Sequence, residues 1–127
     1  MKCLSLKQPY AELLVSGKKT IELRTWNTRF RGEFLVHASK KVDKDACIRM
    51  KIDPDSLATG AVVGKATLYD VKAYHNTRSF LQDKNKHHSS GILSDHMYGF
   101  LVKHAHKFRN PFILKGKLGF FNVEWKK

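Results

Sequence analysis

Cysteine is scarce in this chain of 127 residues: Cys3 and Cys47 stand alone, and neither belongs to a C-x-x-C pair. Two isolated thiols build no disulfide framework, so both are expected to be reduced and buried. Long apolar runs are missing as well, and nothing approaches the roughly 20 apolar residues of a membrane span. The opening Met1-Lys2-Cys3-Leu4-Ser5-Leu6 is too short in apolar residues for a signal peptide. The expectation is a soluble, cytoplasmic protein with no membrane partner. Negative charge is thin too, with 11 Asp plus Glu against 24 Lys plus Arg, a balance of +13. No repeat, linker or second domain interrupts the chain, so residues 1–127 are read as one domain and as a monomer.

Apolar residues are present in quantity, at 42%, with eight Phe, four Tyr and two Trp. That is enough for one packed core and excludes disorder of the whole chain. The positive excess, with a pI near 9.9, draws the domain toward polyanions, nucleic acid first among them. The plainer alternative is lysine that only keeps the surface solvated.

Cys3–Leu6 is a short strand. Tyr10, Leu13 and Leu14 recur at helical spacing after Pro9, and Gly17 ends that pattern as a glycine past a helix end does. Thr20–Arg24 alternates, which turns Ile21 and Leu23 inward and puts Glu22 and Arg24 together on the other face. Glu33–Ala38 and Ala61–Val71 read as further strands, the latter bulged at Gly64. A short helix is expected from about Asp43 to Lys51. The segment from His75 to His96 is polar; a helix starting near Thr77 and otherwise a mobile loop are expected there. Tyr98–Val102, Phe112–Leu114 and Leu118–Trp125 complete the strands. Short strands with a few small helices point to an α+β protein built on a mixed β-barrel.

The densest chemical signal is Gly17-Lys18-Lys19-Thr20-Ile21-Glu22-Leu23-Arg24, then Trp26. A lysine, a carboxylate and a guanidinium converge where a helix hands over to a strand. Arginine offers a planar fork for phosphate or a base edge, lysine a point charge, and Glu22 an acceptor for an exocyclic amine. Ordinary surface charges, with Glu22 and Arg24 paired, would show the same spacing.

Leu4-Ser5-Leu6-Lys7-Gln8-Pro9-Tyr10, followed by the complete G-x-K-x-x-E-x-R element and Trp26, resembles the ASCH domain. Gly32–Lys40 and Leu114–Asn122 agree with it, so the resemblance runs from residue 4 to about 122. It implies a PUA-like barrel with a cleft that binds RNA or another single-stranded nucleic acid, or a nucleotide-like ligand, without a cofactor. By position, Lys19, Glu22 and Arg24 should line that cleft, with Gln8, Lys40, Lys115 and Lys117 at its rim. Trp26 either stacks on a base or fixes the strand turn, and Gly116 would let a phosphate approach the backbone.

Some relatives resemble hydrolases of an acetylated cytidine that use a Lys, a Thr and a Glu, and others look like ribonucleases. Here Lys19 matches the lysine, Glu22 stands in place of the threonine, and the polar segment offers only Asp83 and Asp95 for the last carboxylate. Were the chain an enzyme, Lys19, Glu22 and Arg24 would be its catalytic candidates. His37, His87, His88, His96, His104 and His106 are titratable but have no partner fixed by sequence. No cysteine or paired carboxylate completes a metal site with them, so no metal is expected.

Overall fold

β1 (Lys2–Gln8) pairs in parallel with β3 (Gly32–Val42) in the structure, a computed structural model that describes residues 1–93 and 96–125. Asp95 and Lys127 lie outside the described residues. Around this pair the described strands form one six-stranded sheet in the order β2-β5-β4-β3-β1-β6, with β2 at Ile21–Arg24, β4 at Ala61–Tyr74, β5 at Met97–Ile113 and β6 at Phe120–Asn122. Among the described residues four α-helices and a 3-10 turn at Pro54–Ser56 complete the α+β architecture: α1 (Tyr10–Val15), α2 (Lys44–Met50), α3 (Thr77–Gln82) and α4 (Lys84–His87).

Side chains alternate across β1 and β3 with the period of a strand. Leu4, Leu6, Phe34, Val36 and Ala38 face the main core, while Cys3 and Leu35 face a second apolar cluster with Val62 and Phe121. Burial pushes the Cys3 thiol up to about 12, which makes it an inert, packed side chain. Cys47 is also buried and unpaired.

The α1 helix is covered on more sides than its apolar stripe foretold, because Ala11 and Val15 are buried along with Leu13 and Leu14. It closes one end of the sheet. Gly17, at φ +82°, donates from its N–H to Leu14 O at the helix end. Gly64 is needed for space: a Cβ there would strike Val15 and the carbonyl of His106. The ladders slip beside it on both sides, as the expected bulge requires.

Three expectations change. Tyr98–Val102 and Phe112–Ile113, the latter cut one residue short of the expected Phe112–Leu114, are parts of one strand, β5, whose charged middle stays paired to β4. Straight, its 17 residues would span roughly 55 Å. Three register shifts against β4 bend it, the largest advancing β5 by five residues (107 to 112) for two on β4 (64 to 62). The polar segment is largely ordered rather than a mobile loop. Asn76 caps α3 by accepting from Ser79 N, Phe80 and His87 are buried, and Asp83 binds Lys72 and Tyr74. The last strand is also shorter than expected, covering only Phe120–Asn122.

No ladder joins β2 to β6 among the described residues. Side chains span that seam instead. Trp26, just past β2, meets Phe120 of β6 edge-on at 6.0 Å, and Arg24 Nη2 donates to the Ser5 carbonyl of β1 at 2.9 Å.

Candidate nucleic-acid cleft

A cleft of about 1180 Å³ opens along this seam. Glu22, Arg24 and Trp26 form part of its wall, Lys40 stands on one rim, and Lys115 and Lys117 stand on another. With Lys7 and Lys41, six cations and one carboxylate line it. Ile113 and Leu118 border it too, 91% and 99% exposed, so its lip is apolar as well as basic.

Glu22 is the electrostatic hub. Its Oε2 accepts from Arg24 Nε at 3.0 Å and forms an ion pair with Nη2 at 2.9 Å, and its Oε1 lies 3.3 Å from Lys19 Nζ. A two-residue spacing on one strand face places Glu22 beside Arg24. Lys19 is brought in by the turn after α1, where its N–H donates to Leu13 O. Arg24 in turn lies 5.9 Å from the centre of the Trp26 ring. Trp26 also meets Phe100 edge-on at 5.2 Å, so it both fixes the turn and borders the cleft.

Two residues expected at the cleft are elsewhere. Lys19 is 3% exposed and stands behind the wall, its amine donating to Ile21 O and His87 O at 2.7 Å each. Burial lowers its pKa, and Glu22 opposes that shift. With Glu22 as the third partner, all three ammonium protons are engaged. Gln8 is buried, donating from Nε2 to Ala58 O and accepting from Glu12 N through Oε1, so it braces α1 and not the rim. Leu23, expected in the core, lines the cleft too, next to Glu22, which borders it while being largely buried. Gly116 leaves room for protein and not for ligand: a Cβ there would lie 2.8 Å from His37 Cε1 and 3.0 Å from Ser5 Oγ.

The sequence points to His37 without a partner, and it gives no sign that Ser5, Lys7, Ser39 and Lys41 belong to the wall. His37 is buried between Ser5 Oγ, at 2.7 Å from Nδ1, and Leu114 O, at 2.6 Å from Nε2. Ser39 Oγ is buried in the protein with no hydrogen-bond partner, on a residue that lines the cleft. Lone hydroxyls in a strand carry no sequence signal. Among the described residues no three His, Cys, Asp or Glu side chains gather as a metal set, and no helix is long and apolar enough to cross a membrane.

The α3–α4 segment holds the lysine from behind. His87 stacks on Phe80 with ring centres 4.5 Å apart, its Nδ1 accepts from Ser89 N, and its Nε2 donates to Phe80 O. Burial, aided by the Lys19 charge, lowers the His87 pKa. The sign follows directly: above pH 6.5 the ring is neutral folded or unfolded, and below it the unfolded chain takes up a proton that the folded chain refuses. Stability should therefore fall with pH from about 6.5 downward, by at most ~1.4 kcal/mol per unit, until the folded pKa is reached. Urea unfolding at pH 7.5 and pH 5.5 checks this. The stability gap between wild type and His87→Asn should narrow at the lower pH; an unchanged gap would refute the buried neutral ring.

Three comparisons with known proteins bear on this cleft. Residues 4–111 match the family described as ASCH domain. The chain is 26% identical over 136 residues to activating signal cointegrator 1 of Homo sapiens, and equally to that of Mus musculus. Each alignment takes in 98% of this chain but 22% of the relative, so the chain spans about a fifth of the length of the curated relatives it matches. Among solved structures it superposes on ASCH from Zymomonas mobilis with a TM-score of 0.71 at 16% identity, covering 97% of this chain and 87% of that one. A point mutant of the same protein gives 0.62 at 17% identity, over 97% and 89%. At such identity the likeness is one of fold.

Proposed function

This chain belongs to the ASCH domain family, and on that premise we propose that it binds single-stranded nucleic acid, RNA in the first place, in the seam cleft. One observation carries the reading: six cations surround a single, already neutralised carboxylate in an open groove. Such a groove concentrates positive potential where a phosphate backbone would run. Arg24 and the rim lysines would meet phosphates, and Trp26 with the exposed Ile113 and Leu118 would meet base faces. The PUA-like architecture of the family is associated with RNA binding and supports the same reading.

The competing reading, hydrolysis of a modified nucleoside with Lys19 as a catalytic amine, has the geometry against it. Lys19 is absent from the cleft lining, and its amine is held behind the wall by Ile21 O, His87 O and Glu22, so it does not face a ligand.

The test is affinity for single-stranded RNA as a function of salt. If four of the six rim cations reach phosphates, the log–log slope is about −2.8, at ~0.7 per phosphate, or roughly a 50-fold loss between 50 and 200 mM salt. A flat response would remove nucleic acid as the ligand.

A further inference from the structure

The seam also holds a hydroxyl aimed at a fixed imidazole, an arrangement that backbone binding does not use. Ser5 and His37 are directly opposite each other in the parallel ladder of β1 and β3, so their side chains share a face. The Oγ to Nδ1 distance is 2.7 Å. On the far side of the ring, Nε2 lies 2.6 Å from the Leu114 carbonyl oxygen. A carbonyl oxygen only accepts, so Nε2 carries the proton, and in the neutral ring Nδ1 is left with the lone pair directed at the serine. Both ends of the relay are anchored: the Ser5 carbonyl accepts from Arg24, and Leu114 N donates to Gly60 O at 3.1 Å. His37 is 2% exposed, whereas Ser5 and His37 both belong to the cleft lining. A nucleophile, a base within hydrogen-bond reach and a third group that orients the base are the geometric signature of covalent catalysis.

We propose that Ser5, His37 and the Leu114 carbonyl form a serine-hydrolase-type site for carboxylic esters with an apolar body and an anionic flank. Its walls suit that class, with Leu23, Trp26 and Leu118 apolar and Lys115 and Lys117 positive. The Ser5 Oγ lone pair attacks the ester carbonyl carbon, and the hydroxyl proton passes to His37 Nδ1. The charge on the tetrahedral oxygen develops in the positive field of the rim lysines. The C–O bond to the alcohol then breaks, and the leaving oxygen takes the proton from Nδ1. Water attacks the acyl-Ser5 ester, gives a proton to Nδ1, and the carbonyl–Oγ bond breaks. Ser5 recovers its proton and the carboxylic acid leaves. Water is the only co-reactant. This inference does not rest on nucleic-acid binding, and the two can fail separately.

The test uses the full chain, a biotinylated alkyl fluorophosphonate as probe, and peptide mass mapping, with p-nitrophenyl butyrate as a turnover substrate. One phosphonyl adduct on Ser5 is expected, with ester hydrolysis above the buffer rate. Both should vanish in Ser5→Ala and fall ~100-fold or more in His37→Asn, the loss typical of a removed general base. Gly116→Ala, which pushes on both side chains, serves if His37→Asn does not fold and should slow labelling as well. The absence of an adduct on wild-type Ser5 would overturn the proposal whatever the variants do. So would labelling of folded His37→Asn at the wild-type rate. RNA affinity measured in Ser5→Ala reads the binding function apart from the chemistry.

Discussion

Lys19→Ala is expected to destabilise the protein by about 3–5 kcal/mol, the usual cost of removing one partner of a buried ion pair. The size of the effect follows from what is left behind. The Ile21 and His87 carbonyls lose their donor, and the Glu22 carboxylate, itself buried, keeps only Arg24. For a chain of this length the melting temperature should drop by roughly 10–20 °C. Lys19→Met, which keeps the aliphatic stem, should recover only the packing part of the loss. Thermal unfolding of both variants checks this; a shift below about 3 °C would mean that the amine is not the support described here.

The second large effect concerns binding. Arg24→Ala should weaken single-stranded RNA affinity by about 10- to 150-fold, since a hydrogen bond to a charged group contributes about 1.5–3 kcal/mol. Arg24→Lys should recover part of the loss, because it keeps the charge and gives up the planar fork. Reversal of Lys127, which lies outside the described residues, should change affinity far less. Arg24 also ties β2 to the Ser5 carbonyl, so stability is measured alongside. Equal losses from Arg24→Ala and Lys127→Glu would mean that diffuse charge, and not this cleft, does the binding.

The parts of the cleft that were legible in the sequence are those that depend on local geometry. Glu22 and Arg24 share a strand face two residues apart, and Gly17 marks the helix end that precedes them. Lys19 is legible as part of the same cluster, but its direction is not, because one of the carbonyls that hold it inward, His87 O, belongs to α4, 68 residues away. Gln8 failed for the same reason: its partner Ala58 comes from a distant loop. The facing of Ser5 and His37 depends on a parallel register, which a single sequence does not specify. In the sequence β5 reads as two strands because Lys103–Pro111 is charged and holds a proline, features that ordinarily mark an edge or a break. The bulges keep those residues in one strand all the same.

The course of β5 has a mechanical consequence. Met97 and Ile113, its two ends, both border the cleft, while its bulged middle passes behind the core against Gly64 and α1. One continuous strand therefore joins two sides of the opening. A side chain at Gly64 would press on the His106 carbonyl of that same strand, so a substitution there is expected to alter the spacing between its two cleft-bordering ends.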